Sequence, residues 1–357
     1  MDPTEVRRTC RRFLTAQARH TMRDRLLALA ARPEADSDDV DVYGDGGPVA
    51  EVERRVAELL GQPVARWVPK GVIAQQAALR TWTERTGRPS VALHPLCHID
   101  HDESSAYERL HGLRPIRLGE LAPFTVADLD RCAERPGVVT VELPLRFAGL
   151  LLPEWDELVA ISQWCRDREI PLHLDGARLW ESAPYYGRPL AEIAALADSV
   201  YVSFYKGLRG LAGCVLAGQR DFIDECAPWL ERHGAALFHS YPYALAALEG
   251  LDTQLPKLAG FRDRAITLAA AIGTIDGVFV TPQPPHVNGF HVYLPGSADA
   301  LRERHLQLAA ETGDWLFGFF APTSAQGQCV VEIQVGDPTA DFTDVEVVER
   351  IGQLIAS

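Results

Sequence analysis

Positive charge is in short supply in this 357-residue chain, in which 35 lysine and arginine side chains face 49 aspartate and glutamate side chains. The resulting formal charge of −14 argues against a nucleic acid or an anionic membrane surface as the main partner. The sequence also lacks an apolar run long enough to cross a bilayer. We therefore expect a small-molecule partner, with no nucleic acid and no membrane.

The sequence also lacks a cysteine pattern that would indicate disulfide bonds. The seven cysteines, at positions 10, 97, 132, 165, 214, 226 and 329, are scattered, and none forms a Cys-x-x-Cys pair. The sequence shows no secretory signal ahead of them. This spacing favours free thiols in a reducing compartment, so we expect a cytoplasmic protein.

Lysine is the scarcest basic residue, because only Lys70, Lys206 and Lys257 occur among the 35 basic side chains. Lys206 follows the apolar run 199–204 and precedes a glycine-rich loop. Asp175 closes a second apolar run, 170–174, and is followed at once by glycine. The sequence thus places an amine and a carboxylate at the ends of two predicted strands.

These two residue types together predict a pyridoxal phosphate (PLP) site. A partly buried amine can form a Schiff base with an aldehyde cofactor, and a carboxylate facing the pyridine nitrogen keeps that nitrogen protonated. Arg178 offers a planar fork that matches a substrate carboxylate. Simpler roles compete with these assignments: Lys206 as an exposed loop residue, Asp175 as a helix N-cap, and Arg178 as a surface partner of Glu181.

Alternating strand and helix patterns predict an α/β fold with a mostly parallel sheet covered on both faces. Ligands of such sheets bind at the carboxyl ends of the strands, where Asp175 and Lys206 are predicted to lie. The predicted helices span about 49–61 and 71–86, and the predicted strands lie near 90–94, 114–118, 138–143, 170–174, 199–203 and 213–217.

The chain divides into three predicted parts: an N-terminal helical arm over residues 1–40, a large α/β domain over 41–245, and a small α+β domain over 246–357. The arm is predicted to be helical from 4 to 32. The small domain is predicted to follow a long helix that runs from Pro242 past Ala271. It should contain strands near 289–294 and 329–335 and helices near 298–312 and 342–356.

The segments His173–Arg178 and Ser203–Leu208 resemble the low-specificity threonine aldolases and the related β-eliminating lyases. Residues 42–45 resemble the N-terminal Tyr-Gly-Asp segment of that family, and residues 67–75 occupy the place of its phosphate-binding turn. The resemblance covers about residues 40–245. It implies the aspartate-aminotransferase-like fold, with a seven-stranded-type sheet in the large PLP-binding domain, and a homodimer or homotetramer.

Further site residues follow from this resemblance. His98, in Cys97–Glu103, matches the family histidine that stacks on the cofactor ring, and it is a candidate base for a β-hydroxyl proton. His101 is the rival base. Both histidines could also belong to a metal cluster, but a short His/Asp/Glu run is weak metal evidence, and we expect no metal.

The phosphate site departs from the family pattern. Gly71 and Val72 at a predicted helix start fit a phosphate cradle, but Lys70 and Val72 stand where the family usually has hydroxyl side chains. Ser203 and Arg209 are possible replacements. Lys70 itself could neutralise the phosphate or be a solvated turn residue.

The substrate site departs as well. The family places an arginine in a C-terminal strand, and residues 330–334 contain none. Arg178 could bind the substrate carboxylate alone, with Arg146 as a candidate second clamp. Tyr43 is a candidate contributor to the site of a neighbouring subunit.

The function implied is retro-aldol cleavage of an L-β-hydroxy-α-amino acid to glycine and an aldehyde. The same site could carry out β-elimination, or transamination of another amino acid, and a PLP-binding protein with little lyase activity is a further alternative. The sequence does not separate these possibilities.

Overall fold

A computed structural model describes residues 1–356. Its α-helices are α1 (Pro3–Thr9), α2 (Met22–Ala30), α3 (Gly47–Leu60), α4 (Gly71–Thr86), α5 (His98–His101), α6 (Ala106–His111), α7 (Val126–Asp130), α8 (Trp155–Asp167), α9 (Leu179–Tyr186), α10 (Leu190–Ala194), α11 (Arg220–Arg232), α12 (Tyr241–Thr253), α13 (Leu258–Ile272), α14 (Ala298–Thr312) and α15 (Asp344–Ile355). No helix among these residues is long and apolar enough to cross a membrane.

The strands are β1 (Arg12–Phe13), β2 (Val64–Val68), β3 (Ser90–Leu93), β4 (Arg114–Arg117), β5 (Val138–Glu142), β6 (Leu172–Gly176), β7 (Ser199–Ser203), β8 (Cys214–Gly218), β9 (Phe279–Thr281), β10 (Gly289–Pro295), β11 (Asp314–Trp315), β12 (Ala321–Pro322) and β13 (Gln328–Gln334). Contacts divide the chain into two compact units. One unit is Thr21–Pro256, and the other combines Met1–His20 with the chain from Lys257 onward.

The larger unit is built on a seven-stranded sheet of order β2-β8-β7-β6-β5-β3-β4. Strand β8 pairs antiparallel with both β2 and β7, and all other neighbours pair parallel. Every residue of β3, β5, β6, β7 and β8 is buried, which explains why these strands are continuous apolar runs and not alternating ones. The predicted α/β class with a mostly parallel sheet is confirmed.

Helix α4 presents its small side chains to this sheet. Ala74, Ala77 and Ala78 are fully buried in one apolar cluster with residues of β3, β5 and β8. Small side chains let the helix axis approach the strands closely, and the first residue of α4, Gly71, lies against the Tyr201 hydroxyl of β7. This packing fixes the start of α4 beside the site described below.

The smaller unit contains a four-stranded antiparallel sheet of order β12-β13-β10-β9. Its core joins apolar residues of β10 and β13 to helices α13, α14 and α15. The N-terminal residues belong to this unit because β1 pairs in parallel with β11 and Leu14 enters the same core. The unit boundaries therefore fall after residues 20 and 256, whereas the sequence placed its divisions after 40 and 245.

Two helix predictions were wrong. The segment 4–32 is not one helix: α1 ends at Thr9, β1 follows, and Thr21 starts α2 with a capping box to Asp24. The predicted helix from Pro242 past Ala271 is interrupted between α12 and α13. Pro256 lies in that interruption and has no N–H to donate to a helix.

Candidate active site

Two carboxylates end neighbouring strands of the large sheet. Glu142 closes β5, Asp175 lies near the end of β6, and the two are paired in register. Burial, followed by the charge of Asp175, raises the pKa of Glu142 to about 7. Burial also raises the pKa of Asp175, while Lys206 and His98 oppose that rise. The site therefore holds two interacting acids in a dry environment.

Glu142 organises the backbone around these strand ends. Its Oε2 accepts a hydrogen bond from the backbone N–H of His98 at 2.6 Å, and its Oε1 accepts one from the N–H of Arg146 at 3.2 Å. Both oxygens thus have a donor, and Glu142 ties the start of α5 to the turn after β5. Glu142 closes an apolar strand as Asp175 does, so the same pattern could have identified it, but sequence reasoning missed its role.

His98 is held by a buried glutamate. Its Nδ1 lies 3.0 Å from Glu103 Oε1, and Glu103 Oε2 accepts a hydrogen bond from Gln76 Nε2 at 2.8 Å. The hydrogen bond with Glu103 raises the pKa of His98. His101, the rival base, instead stacks on Phe147 and bonds Asp102, and it is exposed. These contacts favour His98 over His101.

Lys206 lies in the loop that follows β7, the strand next to β6. Burial, followed by the charge of Arg178, lowers its pKa to about 8, against the opposing attraction of Asp175, Glu142 and Glu181. About a tenth of this amine is therefore unprotonated at pH 7, far more than for an ordinary lysine, and a nucleophilic lysine requires the unprotonated form. The residue is half-buried and lines a cleft, which does not fit an ordinary exposed loop lysine.

The start of α4 has the groups that an anion site needs. Lys70 precedes it without a side-chain cap, and its Nζ lies 5.5 Å from the centre of the Tyr205 ring. A Cβ on Gly71 would lie 2.1 Å from the Tyr201 hydroxyl, so only glycine fits at this position. Tyr201 and Tyr205 line the same cleft and bring hydroxyl groups to it. Backbone N–H groups, a cation and hydroxyls are the donors that a phosphate needs.

Arg178 and Glu181 lie on the first turn of α9. Arg178 is the N-cap residue of that helix and is 9% exposed, and Asp175 instead accepts a hydrogen bond from the Ala177 N–H at 3.2 Å. The alternative of Asp175 as N-cap is therefore wrong. Glu181 is 3% exposed, so the alternative of a surface pair with Arg178 fails as well. The sequence treated Glu181 as a surface residue, because helical spacing alone cannot reveal its burial.

Several of these groups line one cleft at the ends of the strands. It is lined by Lys70, Gly71, Val72, Gln75, His98, Glu103, Asp175, Ala177, Tyr201, Tyr205 and Lys206. Six of the residues singled out from the sequence therefore share a single cavity: Lys206, Asp175, His98, Lys70, Gly71 and Val72. Gln75 was not singled out; it is buried with its Nε2 unpartnered, which leaves a donor on the cavity wall.

The other predicted site residues, including Arg178, lie outside the cavity lining. Ser203 is fully buried at the end of β7, and Arg209, at a φ of 59°, donates its backbone N–H to the Lys206 carbonyl. The Arg146 guanidinium lies 5.3 Å from the Phe147 ring centre. Tyr43 is 57% exposed and packs edge-on against Phe238. Within one chain, neither Arg146 nor Tyr43 is shown reaching the cleft.

The residues present fit PLP. A phosphate fits the cradle at Gly71, where a side chain would clash, and the unpartnered Nε2 of Gln75 offers a further donor to a polar ligand. The Lys206 amine, whose pKa is lowered, and the buried Asp175 lie at the ends of neighbouring strands. The amine suits the aldehyde of PLP, and the carboxylate suits its pyridine nitrogen. An α/β sheet with this site defines a PLP-dependent enzyme.

Comparisons with known proteins agree. The family profile of β-eliminating lyases matches residues 16–295, so the chain belongs to that family, which is PLP-dependent. The low specificity L-threonine aldolase of Escherichia coli K12 is 29% identical over 252 residues, covering 68% of this chain and 73% of that protein. This chain is a PLP-dependent lyase.

Solved structures show the same fold. A Listeria monocytogenes protein, provisionally described as an L-allo-threonine aldolase, superposes with a TM-score of 0.92 at 35% identity, over 98% of this chain and 97% of that one. The Leishmania major threonine aldolase superposes with a TM-score of 0.74 at 20% identity, over 96% of this chain and 98% of that one. The second similarity supports the fold alone.

Proposed function

We propose that this lyase cleaves the Cα–Cβ bond of an L-β-hydroxy-α-amino acid of the threonine type, releasing glycine and an aldehyde. The observation that carries the proposal is the His98–Glu103 pair, which lines the same cleft as Lys206 and Asp175. Family membership and the similarity to threonine aldolases support it.

Lys206 is the residue proposed to hold the cofactor through its amine. Bound PLP supplies an electron sink for the pair of electrons released when a bond to the substrate Cα breaks. Asp175 keeps the pyridine nitrogen protonated from the end of β6. Gly71 and Val72, together with Lys70, bind the phosphate, and Ser203 and Arg209 support the loop ends on either side of Lys206.

Arg178 orients the substrate in this proposal. Its guanidinium binds the α-carboxylate in bidentate geometry, which holds the Cα–Cβ bond in the orientation for cleavage. Arg146 is a candidate second clamp, because its backbone is already tied to Glu142 at the edge of the site. This role would substitute for the C-terminal arginine that residues 330–334 lack.

His98 acts as the base. Because Glu103 engages Nδ1, Nε2 remains available to take the β-hydroxyl proton. The pKa of His98 is raised, so its neutral imidazole, the form that accepts a proton, is lost at a higher pH than for an ordinary histidine. Aldol cleavage should therefore decline as the pH falls through the pKa of His98. Both oxygens of Glu103 have hydrogen-bond partners, so Glu103 holds the His98 ring in one orientation.

The experiment supplies L-allo-threonine and L-threonine to the PLP-loaded protein and measures acetaldehyde and glycine. We expect both products in equal amounts, and His98→Asn should lower kcat by about 10²-fold. His101→Asn is the matched control, because His101 lies on the same short helix but faces Phe147. Absence of aldehyde with both substrates, while PLP remains bound, would contradict the proposal.

A second candidate reaction is β-elimination in the same cleft. The observation that favours it is the lowered pKa of Lys206, which suits this amine to remove a Cα proton. β-Chloro-L-alanine separates the two reactions, since elimination releases pyruvate and ammonia from it. Pyruvate formation without any acetaldehyde from the threonines would make elimination the main activity.

We also propose that two copies of the chain associate and that Tyr43 completes the site of the neighbouring copy. Tyr43 is exposed on its own chain beside Phe238, which leaves aromatic surface for a partner. Sedimentation equilibrium at micromolar concentration should give the mass of a dimer or tetramer, and Tyr43→Ala should lower kcat. A monomeric, fully active enzyme would overturn this proposal.

A further inference from the structure

Glu181 is a buried carboxylate beside the Lys206 loop with no role in the reaction described above. It lies in the first turn of α9 and is 3% exposed. A Cβ on Gly207 would lie 2.4 Å from its Oε1, so the carboxylate is packed directly on the backbone after Lys206. Burial raises the pKa of Glu181, and this rise is opposed by the charge of Arg178, the backbone N–H of Glu181 itself, the charge of Lys206 and the backbone N–H of Gly207, in that order.

The second oxygen of Glu181 is unusual. Oε2 is buried and has no hydrogen-bond partner. An unpartnered buried carboxylate oxygen is costly, so its retention points to a donor that arrives during function. The cationic groups whose charges lower the pKa of Glu181 are Arg178 and Lys206. Lys206 directly precedes Gly207 in the chain.

The other carboxylates around Lys206 are already engaged. Glu142 accepts hydrogen bonds from two backbone N–H groups, and Asp175 accepts one from Ala177 while it faces the cofactor ring in the proposed function. Glu103 is bound by Gln76 and His98. Glu181 is therefore the carboxylate with an oxygen left for the Lys206 ammonium group.

We propose that Glu181 is a positioning residue for Lys206. One oxygen anchors the loop through the Gly207 N–H, and the other accepts the Lys206 ammonium group whenever the amine is not bonded to the cofactor. The negative charge stabilises the departing amine as it gains its proton, so an incoming amine displaces Lys206 faster. This inference rests on the proposed role of Lys206, and it deepens that role.

Displacement by methoxyamine tests the idea on the PLP-loaded enzyme. Methoxyamine displaces Lys206 from the cofactor aldehyde, but it has no Cα–Cβ bond to cleave. The rate of this displacement is therefore independent of any aldol activity. Stopped-flow absorbance of the bound cofactor gives the rate constant across pH. The titratable and charged groups that face Lys206 come from four elements: Asp175 from β6, Glu142 from β5, His98 from α5, and Arg178 and Glu181 from α9. The variant changes Glu181 alone.

We expect Glu181→Gln to slow displacement about tenfold at neutral pH, because the amide keeps an acceptor for the Gly207 N–H but loses the charge. Glu192→Gln is the control, since Glu192 is exposed on α10 and pairs with Arg188. Gly207→Ala provides an independent variant, because its Cβ must push the Glu181 carboxylate away. It should slow displacement in the same direction.

Wild-type displacement rates in Glu181→Gln, or in Gly207→Ala if the first variant does not load PLP, would overturn the proposal. Slow displacement in a protein that forms no acetaldehyde would leave the inference standing and would count against the aldol function alone. Failure of borohydride to fix PLP to Lys206 in the wild type would remove the basis of both.

Discussion

Lys206→Ala is expected to abolish turnover, lowering kcat by at least about 10³-fold. The physical reason is that no other lysine is placed to replace it. Lys70 is the residue before α4 and its Nζ packs over the Tyr205 ring, and Lys257 belongs to the other unit and pairs with Asp337. The measurement is kcat for acetaldehyde release, together with visible absorbance of the purified protein.

Lys257→Ala is the matched control for this experiment, since it removes a lysine of the same chain from an exposed ion pair. It should retain wild-type kcat and wild-type absorbance. Thermal unfolding of the Lys206→Ala protein, measured by circular dichroism, checks that the fold is retained. An active Lys206→Ala enzyme that still shows the bound-cofactor absorbance would contradict the assignment.

Asp175→Asn should lower kcat by about 10³-fold while PLP remains attached. An amide of the same shape cannot hold a proton on the pyridine nitrogen, so the bound cofactor accepts electrons poorly. The pKa of Glu142 should also fall from about 7, because the charge of Asp175 is one of the causes that raise it. The measurements are kcat and the pH dependence of cofactor absorbance.

Glu142→Gln provides the comparison for Asp175→Asn. Its two hydrogen bonds come from backbone N–H groups of His98 and Arg146, and Gln can keep only one of them with its amide oxygen. The expected loss in kcat is about tenfold, because the effect acts through positioning and not through the ring nitrogen. Equal losses in the two variants, or an Asp175→Asn enzyme within threefold of wild type, would contradict the role assigned to Asp175.

Local patterns were sufficient where one segment determines its own structure. The helix over 71–86 has the predicted bounds, because Gly71 starts it and Gly87 ends it in a left-handed conformation. The central strands were found because both faces are buried and their sequences are continuously apolar. Asp175 and Lys206 were placed together by the rule that parallel strands end at the same edge of a sheet.

Other features depend on contacts distant in sequence. The pairing of β1 with β11 joins residues about 300 positions apart, as Arg12 and Asp314 show, and no local pattern in residues 4–32 predicts it. The burial of Glu181 depends in the same way on the approach of Gly207. The roles assigned to the site residues stay predictions, for Lys206, Asp175, His98, Gly71, Val72 and Arg178 as for Ser203, Arg209, Arg146 and Tyr43.

The central claim is that Lys206 carries the cofactor, and peptide mapping after borohydride reduction tests it most directly. Reduction fixes PLP to the lysine that holds it, and tandem mass spectrometry of a digest then identifies that residue among the three lysines of the chain. The structure predicts stoichiometric modification of Lys206 alone, because its amine is in the cleft with a pKa lowered to about 8. Modification at Lys70 or Lys257, with Lys206 unmodified, would contradict the account.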